Sequence, residues 1–245
     1  MPKFFVNKEA INNNKAEICG GDVSHIAKVL RLPVGSAITL CDGEGTDYEA
    51  EITEIKKDVI LLDIINVCKC NTEPDLNVTL FQGIPKASKM EYIIQKCTEL
   101  GVMSIVPVMT KRTVVKLENA QAEKKKLERW NKIAAEAVKQ CGRGCIPKVC
   151  DVTDIKNISA KDFDLFLVAY EEETDISLKS VLKSNDKAKN IGILIGPEGG
   201  LEKSEVEYLI KSGAKSVTLG KRILRTETAG HTVLTAVLYE LDELE

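Results

Sequence analysis

The chain has 245 residues, 44% of them hydrophobic and 29% charged, a balance that fits one or two soluble domains with sizeable cores and excludes a disordered or fibrous composition. No apolar run approaches the ~18 residues of a membrane span, and the apolar start Met1 to Val6 is too short for a signal peptide, so a cytoplasmic location is expected. A net charge of -3 argues against a uniformly basic nucleic-acid coat, yet 13 Lys+Arg stand against 6 Asp+Glu between Lys86 and Arg143. That local surplus suits either a phosphate backbone or a solvated helix face.

Residues 1 to about 72 read as short strands. Ala37 to Cys41 runs into the turn signal Asp42-Gly43-Glu-Gly45, and Tyr48 to Ile55 pairs in hairpin fashion with Val59 to Val67 across Lys56 to Asp58. One helical segment interrupts them, Asp22 to Leu32. Its Ile26, Val29 and Leu30 share a face at i, i+3, i+4, leaving His25, Lys28 and Arg31 to the other. A small β-barrel with one short helix fits this pattern. It has few aromatic residues for base stacking, so any grip on RNA should come from shape and phosphate contacts.

The polar, aperiodic Lys69 to Asp75 marks a boundary, after which strands alternate with helices. The strands are Val78 to Ile84, Ser104 to Met109, Leu165 to Tyr170, Ile191 to Gly196 and Ser216 to Gly220. Helices are expected at Ser88 to Leu100, opened by a Ser88/Glu91 capping box and closed by Gly101, then at Ala122 to Cys141, Ser177 to Lys183, Lys203 to Ser212 and Thr228 to Leu241. Such alternation predicts an α/β domain with a parallel sheet covered on both faces and ligands outside the carboxyl ends of its strands.

Eight cysteines without Cys-x-x-Cys spacing, and two distant histidines, predict free thiols and no metal site. No Ser/His/Asp or Cys/His constellation emerges; His231 falls within the last helix and reads as a packed or helix-face residue. Two glycine-marked strand ends separated by one helix, Gly196-Pro-Glu-Gly-Gly200 and Leu219-Gly220, should lie side by side. Gly196 to Gly200 lacks both the phosphate-loop and the dinucleotide spacings, and alone it fits a tight strand-to-helix turn equally well. Arg222-x-x-Arg225-Thr-Glu227-Thr228, directly before a helix, adds an anion partner and a polar clamp, or a structural Arg/Glu pair.

These segments together resemble the ribosomal RNA small-subunit methyltransferase E family, a branch of the SPOUT methyltransferases. The resemblance rests on Met1-Pro-Lys-Phe-Phe5, His25 to Leu32, Lys96 to Gly101, Glu136 to Gln140 with Arg143 and Ile146-Pro147, Gly196 to Gly200, and Leu219 to Ala229. It implies a PUA-like RNA-binding β-barrel over residues 1–72 and a parallel-sheet methyltransferase domain over 73–245 with a carboxyl-terminal trefoil knot. The implied activity is methylation of N3 of one uridine near the 3′ end of 16S rRNA, in the 30S subunit, by a homodimer using S-adenosylmethionine, with no membrane and no metal involved.

Carried onto this chain, the resemblance gives Leu194, Ile195, Gly196, Gly200, Leu219, Gly220, Ile223 and Leu224 as cofactor contacts. Arg225 would face the uracil, where a cation favours the anionic base, with Glu227 and Thr228 orienting it or the substrate. Lys28, Arg31, Lys86, Lys89, Arg112 and Arg143 are the expected phosphate contacts. The alternative is a noncatalytic RNA-binding or ribosome-assembly module in which the glycine turns are architectural.

Overall fold

A computed structural model describes residues 1–115 and 119–244. It divides into two compact units, Met1–Glu73 with Val138–Ile146, and Pro74–Ala137 with Pro147–Glu245.

The first unit is built on a six-stranded sheet. Its strands are β1 (Lys3–Phe5), β2 (Ile11–Asn12), β3 (Lys15–Cys19), β4 (Ala37–Cys41), β5 (Thr46–Ile55) and β6 (Val59–Lys69), in the order β1-β4-β5-β6-β3-β2. Alternation along β3 to β6 turns Ala16, Ile18, Ile38, Leu40, Ala50, Ile52, Ile60 and Leu62 into one core with Phe4 and Ile26.

The helical segment of this unit differs from its expected form. A short α1 (Gly21–Ser24) continues as a π-turn, His25–Leu30, closed by Arg31 in the left-handed region at φ 52. The wider i→i+5 spacing rotates side chains off the α-helical stripe. Only Ile26 is buried, while Val29 and Leu30, expected on the same inner face, are 69% and 38% exposed.

A second difference concerns residues 138–146, expected in the second domain. They fold with the first unit because Glu73 reaches them: its carboxylate accepts from Gly144 N at 2.8 Å, from Cys145 N at 3.0 Å and from Arg143 Nη2 at 2.7 Å. Burial opposes ionisation of Glu73, but these bonds and the guanidinium charge outweigh it and hold the carboxyl below the usual range. Arg143 is therefore not an exposed phosphate contact. It is 3% exposed and its charge is committed to Glu73.

The second unit holds β7 (Asn77–Gly83), β8 (Ser104–Met109), β9 (Lys148–Val149), β10 (Thr153–Asp154), β11 (Leu165–Ala169), β12 (Asn190–Ile195) and β13 (Lys215–Val217). All pairings are parallel, in the order β10-β8-β7-β12-β11-β13 with β9 also on β8. Successive residues face opposite sides. Val78, Leu80, Leu165, Leu167, Ile191, Ile193 and Ile195 enter one core, and Phe81, Phe166, Val168 and Leu194 enter the other.

The helices are α2 (Lys89–Glu99), α3 (Ala120–Cys141), α4 (Leu178–Lys183), α5 (Lys203–Lys211) and α6 (Thr226–Glu240). Ser88 occupies the N-cap of α2 without accepting a side-chain hydrogen bond, so the expected capping box is not formed; Glu91 pairs instead with Arg129 at 2.8 Å. A capping box does form at α5, between Glu202 and Glu205. Buried Glu205 also accepts from Lys111 N at 2.8 Å, which ties the end of β8 to α5.

All eight cysteines are free. Among the described residues no helix is long and apolar enough to cross a membrane, and no group of three or more His, Cys, Asp or Glu is placed to hold a metal ion.

Candidate functional site

A cavity of about 540 Å³ opens at the carboxyl ends of β11 and β12. That volume is within the range of small-molecule sites. One wall is the turn Gly196 to Gly200, another is Thr218 to Arg225, and the start of α6 closes the floor with Thr226, Glu227 and Ala229. The two glycine turns do not follow neighbouring strands as expected. Strand β11 lies between β12 and β13, and its end, Ala169 to Glu171, forms the middle of the cavity. Order along the chain does not set order across the sheet, since the α5 crossover skips one strand.

Of the expected cofactor contacts, Ile195, Gly196, Gly200, Leu219, Gly220, Ile223 and Leu224 line the cavity. Leu194 does not. Strand alternation turns it into the core on the other side of the sheet, fully buried. The second wall is anchored by Leu219 and Leu224, which pack on the first core, while Ile223 between them is 89% exposed.

The first wall is held mainly by main chain. Gly200 closes the turn with its N–H on Pro197 O at 2.9 Å and takes φ +70, a conformation that a side chain would strain. Arg112 donates from Nη1 to Gly199 O at 3.0 Å. That guanidinium, expected on a phosphate, thus braces the turn. Gly83 backs it from β7: a Cβ there would lie 2.6 Å from Pro197 N.

Charged groups collect at the rim. Lys89, another expected phosphate contact, lines the cavity, with Nζ 2.8 Å from Glu198 and 3.6 Å from Glu227. The Glu198 hydrogen bond raises the Lys89 pKa. Burial opposes ionisation of Glu198, but the Lys89 ammonium and the Lys86 N–H prevail and hold its carboxyl below the usual range. Burial pushes the Tyr170 hydroxyl up to about 12, so it stays protonated beside the cavity.

Arg225 is the exposed N-cap of α6 and lines the cavity; among the described residues it makes no ion pair. Its positive charge remains available. Thr228, expected beside it, is exposed and lies outside the cavity lining, because α6 begins two residues earlier than expected and turns that position outward. His231 is half-buried with its ring edge-on to Tyr92 at 5.4 Å. Burial, then the Lys96 charge, lower its pKa. Lys28, Arg31 and Lys86 are exposed.

Two residues that sequence reasoning passed over complete the site. Thr226 is 6% exposed and donates to Gly196 O at 2.6 Å, and the fully buried Gln82 donates to Thr226 Oγ1 at 2.9 Å. A polar Gln within the apolar strand Val78 to Gly83 was the available signal, since a buried amide requires partners.

A family model for the RNA methyltransferase domain matches residues 72–238, and one for the RNA methyltransferase PUA domain matches residues 18–65. A ribosomal RNA small subunit methyltransferase E of Bacillus subtilis is 39% identical over 253 residues, covering 100% of this chain and 98% of the relative. The chain belongs to the ribosomal RNA small-subunit methyltransferase E family. Among solved members, the enzyme of Neisseria gonorrhoeae, bound to S-adenosyl methionine, superposes with a TM-score of 0.79 at 29% identity, covering 98% of this chain and 97% of that one. A Legionella pneumophila methyltransferase holding the cofactor SAM gives a TM-score of 0.81 at 29% identity, with 97% of each chain covered. The α/β architecture with an amino-terminal PUA domain is shared across the family.

Proposed function

We propose that this chain transfers a methyl group from S-adenosylmethionine to N3 of one uridine near the 3′ end of 16S rRNA, acting in the cytoplasm on the 30S subunit. The observation that carries the reading is an unpaired Arg225 on the rim of a cavity walled by two glycine turns, in a chain of this family. The residues fit the donor. The walls at Gly196 to Gly200 and Leu219 to Leu224 offer main-chain groups, and Glu171, which makes no ion pair among the described residues, lines the same cavity as a carboxylate that can face a cationic ligand. When bound, S-adenosylmethionine supplies an electrophilic methyl with a good leaving group, so the protein's task is positioning and electrostatics.

Arg225 stabilises the uridine imide as it loses its proton, the same effect that lowers the pKa of an acid beside a cation. Lys89 is held between Glu198 and Glu227, whereas Arg225 on the same rim makes no ion pair among the described residues. Exposed Lys28, Arg31 and Lys86 suit phosphate contact. The reading extends to a homodimer and to a trefoil knot in the second unit, both implied by the resemblance; sedimentation would test the first.

Labelled methyl transfer to 16S rRNA, naked and in 30S particles, with the product nucleoside mapped, tests the reaction. The expected product is N3-methyluridine, and Arg225→Ala should lower turnover by about 10²- to 10³-fold while donor binding persists. Label that never enters uridine N3 sinks the assignment. Full activity of Arg225→Ala sinks its role.

A further inference from the structure

The turn Gly196 to Gly200 is secured from inside the protein by a directed relay of side chains. Gln82 in β7 is fully buried, and its Nε2 donates both to Gly83 O at 3.0 Å and to Thr226 Oγ1 at 2.9 Å. Thr226 Oγ1 in turn lies 2.6 Å from Gly196 O. A carbonyl oxygen only accepts, so the hydroxyl hydrogen must point at Gly196, and the hydroxyl oxygen is left to accept from Gln82. The opposite orientation of the amide would set Gln82 Oε1 against the Gly83 carbonyl, oxygen facing oxygen. The relay therefore runs one way, from Gln82 through Thr226 to Gly196.

Three separate elements meet in it: β7, the first residue of α6 and the turn after β12. The residues flanking Thr226 in sequence, Arg225 and Glu227, line the same cavity as the turn whose carbonyl it holds. Because Gly83 has no side chain, its backbone packs against the Gly196–Pro197 peptide on the side of β7. That peptide is thus pinned by the Thr226 hydroxyl on its carbonyl and by Gly83 at its proline. The hydroxyl consequently makes a direct hydrogen bond between one wall of the cavity and the helix start that carries Arg225, buried beneath the Lys89 bridge from Glu198 to Glu227 at the rim.

We infer that Thr226 is a positioning residue for the methyl donor: its hydroxyl, oriented by Gln82, fixes the Gly196 turn relative to α6 and so pre-organises the cavity for S-adenosylmethionine. The inference rests on the donor site proposed above and adds to it a residue whose role is to hold the turn. A Thr that served global stability alone would leave donor affinity unchanged wherever the protein is folded. A Thr that positions the turn would not.

Calorimetric titration of S-adenosylmethionine into wild type, Thr226→Val and Thr226→Ser separates these cases, at a temperature where thermal unfolding shows all three folded. Valine keeps the shape, removes the hydroxyl, takes the Thr226 partner from the Gly196 carbonyl and leaves the Gln82 amide only its bond to Gly83 O. Donor affinity should fall about ten-fold in Thr226→Val and return to within about two-fold of wild type in Thr226→Ser. The RNA dissociation constant should be the same in all three. Equal donor affinity in wild type and Thr226→Val overturns the inference while leaving the proposed function standing. Absence of donor binding by wild type overturns the proposed function itself, and the inference with it. If Thr226→Val does not fold, Gln82→Met withdraws the orienting donor, and unchanged donor affinity in that variant is again the refuting result.

Discussion

Replacing Arg143 by Ala distinguishes a phosphate contact from a structural strut. Its guanidinium is bound through Nη2 at 2.7 Å and Nε at 3.2 Å to Glu73, with side chains only 4% and 8% exposed. Breaking a buried ion pair from one side costs about 3–5 kcal/mol, because the remaining charge stays buried. Here Glu73 keeps the Gly144 and Cys145 N–H groups at 2.8 and 3.0 Å, which places the loss near the lower limit, about 3 kcal/mol. Urea denaturation should show that loss. RNA binding measured across a salt series should keep its slope, since no phosphate contact is removed. The refuting result is the reverse pattern, with stability unchanged within about 0.5 kcal/mol and a salt slope reduced by about 0.7–0.9. The pH dependence follows from the depressed Glu73 pKa. The folded carboxyl titrates below its ordinary 4.5, so its contribution is fully present above pH 4.5 and is lost as pH falls through the folded value. Glu73→Gln should remove that acid-side loss.

Two further outcomes follow from close approach and from burial. Gly83→Ala would put a methyl 2.6 Å from Pro197 N, so the strand or the turn must shift; a stability loss of about 1–3 kcal/mol by thermal unfolding is expected, with weaker donor binding in the folded fraction. Iodoacetamide at pH 8 followed by peptide mapping should modify the exposed Cys19 and Cys68 and spare the buried Cys97 and Cys41, whose thiol burial pushes up to about 12. Rapid labelling of Cys41 or Cys97 in native protein would contradict the packing described for either core.

The strands were legible wherever local alternation settles them. Ala37 to Cys41 and Ser104 to Met109 form at the expected residues, the first because alternate apolar side chains need only one buried face, the second because a short continuous apolar run suits a strand between two covered faces. Helix starts were less legible. The Ser88/Glu91 spacing fits a capping box, yet Glu91 finds Arg129 across the surface, a partner 38 residues away that no local rule reveals. Likewise Val29 and Leu30 match an α-helical stripe, and a π-turn closed by a left-handed Arg31 brings them to solvent.

The glycine turns and the charged segment before α6 were visible in the chain, since residue type at close spacing announces a tight turn and a cluster of charge. Their resemblance to a known family supplied the expected ligand. The sequence by itself therefore determined the two fold classes, the order of elements and the stretch that walls the cavity. Only tertiary structure decided which side chains line it. It inserted β11 between the two glycine-ended strands, sent Leu194 to the opposite core, set Lys89 on the cavity rim and Arg112 against the Gly199 carbonyl, and buried Arg143 against Glu73. It also joined Gln82 to Thr226 across 144 positions of chain. The physical reason is range: turns and alternation are fixed by neighbours a few residues apart, whereas burial, charge pairing and hydrogen-bond direction depend on segments that meet only when the sheet is assembled.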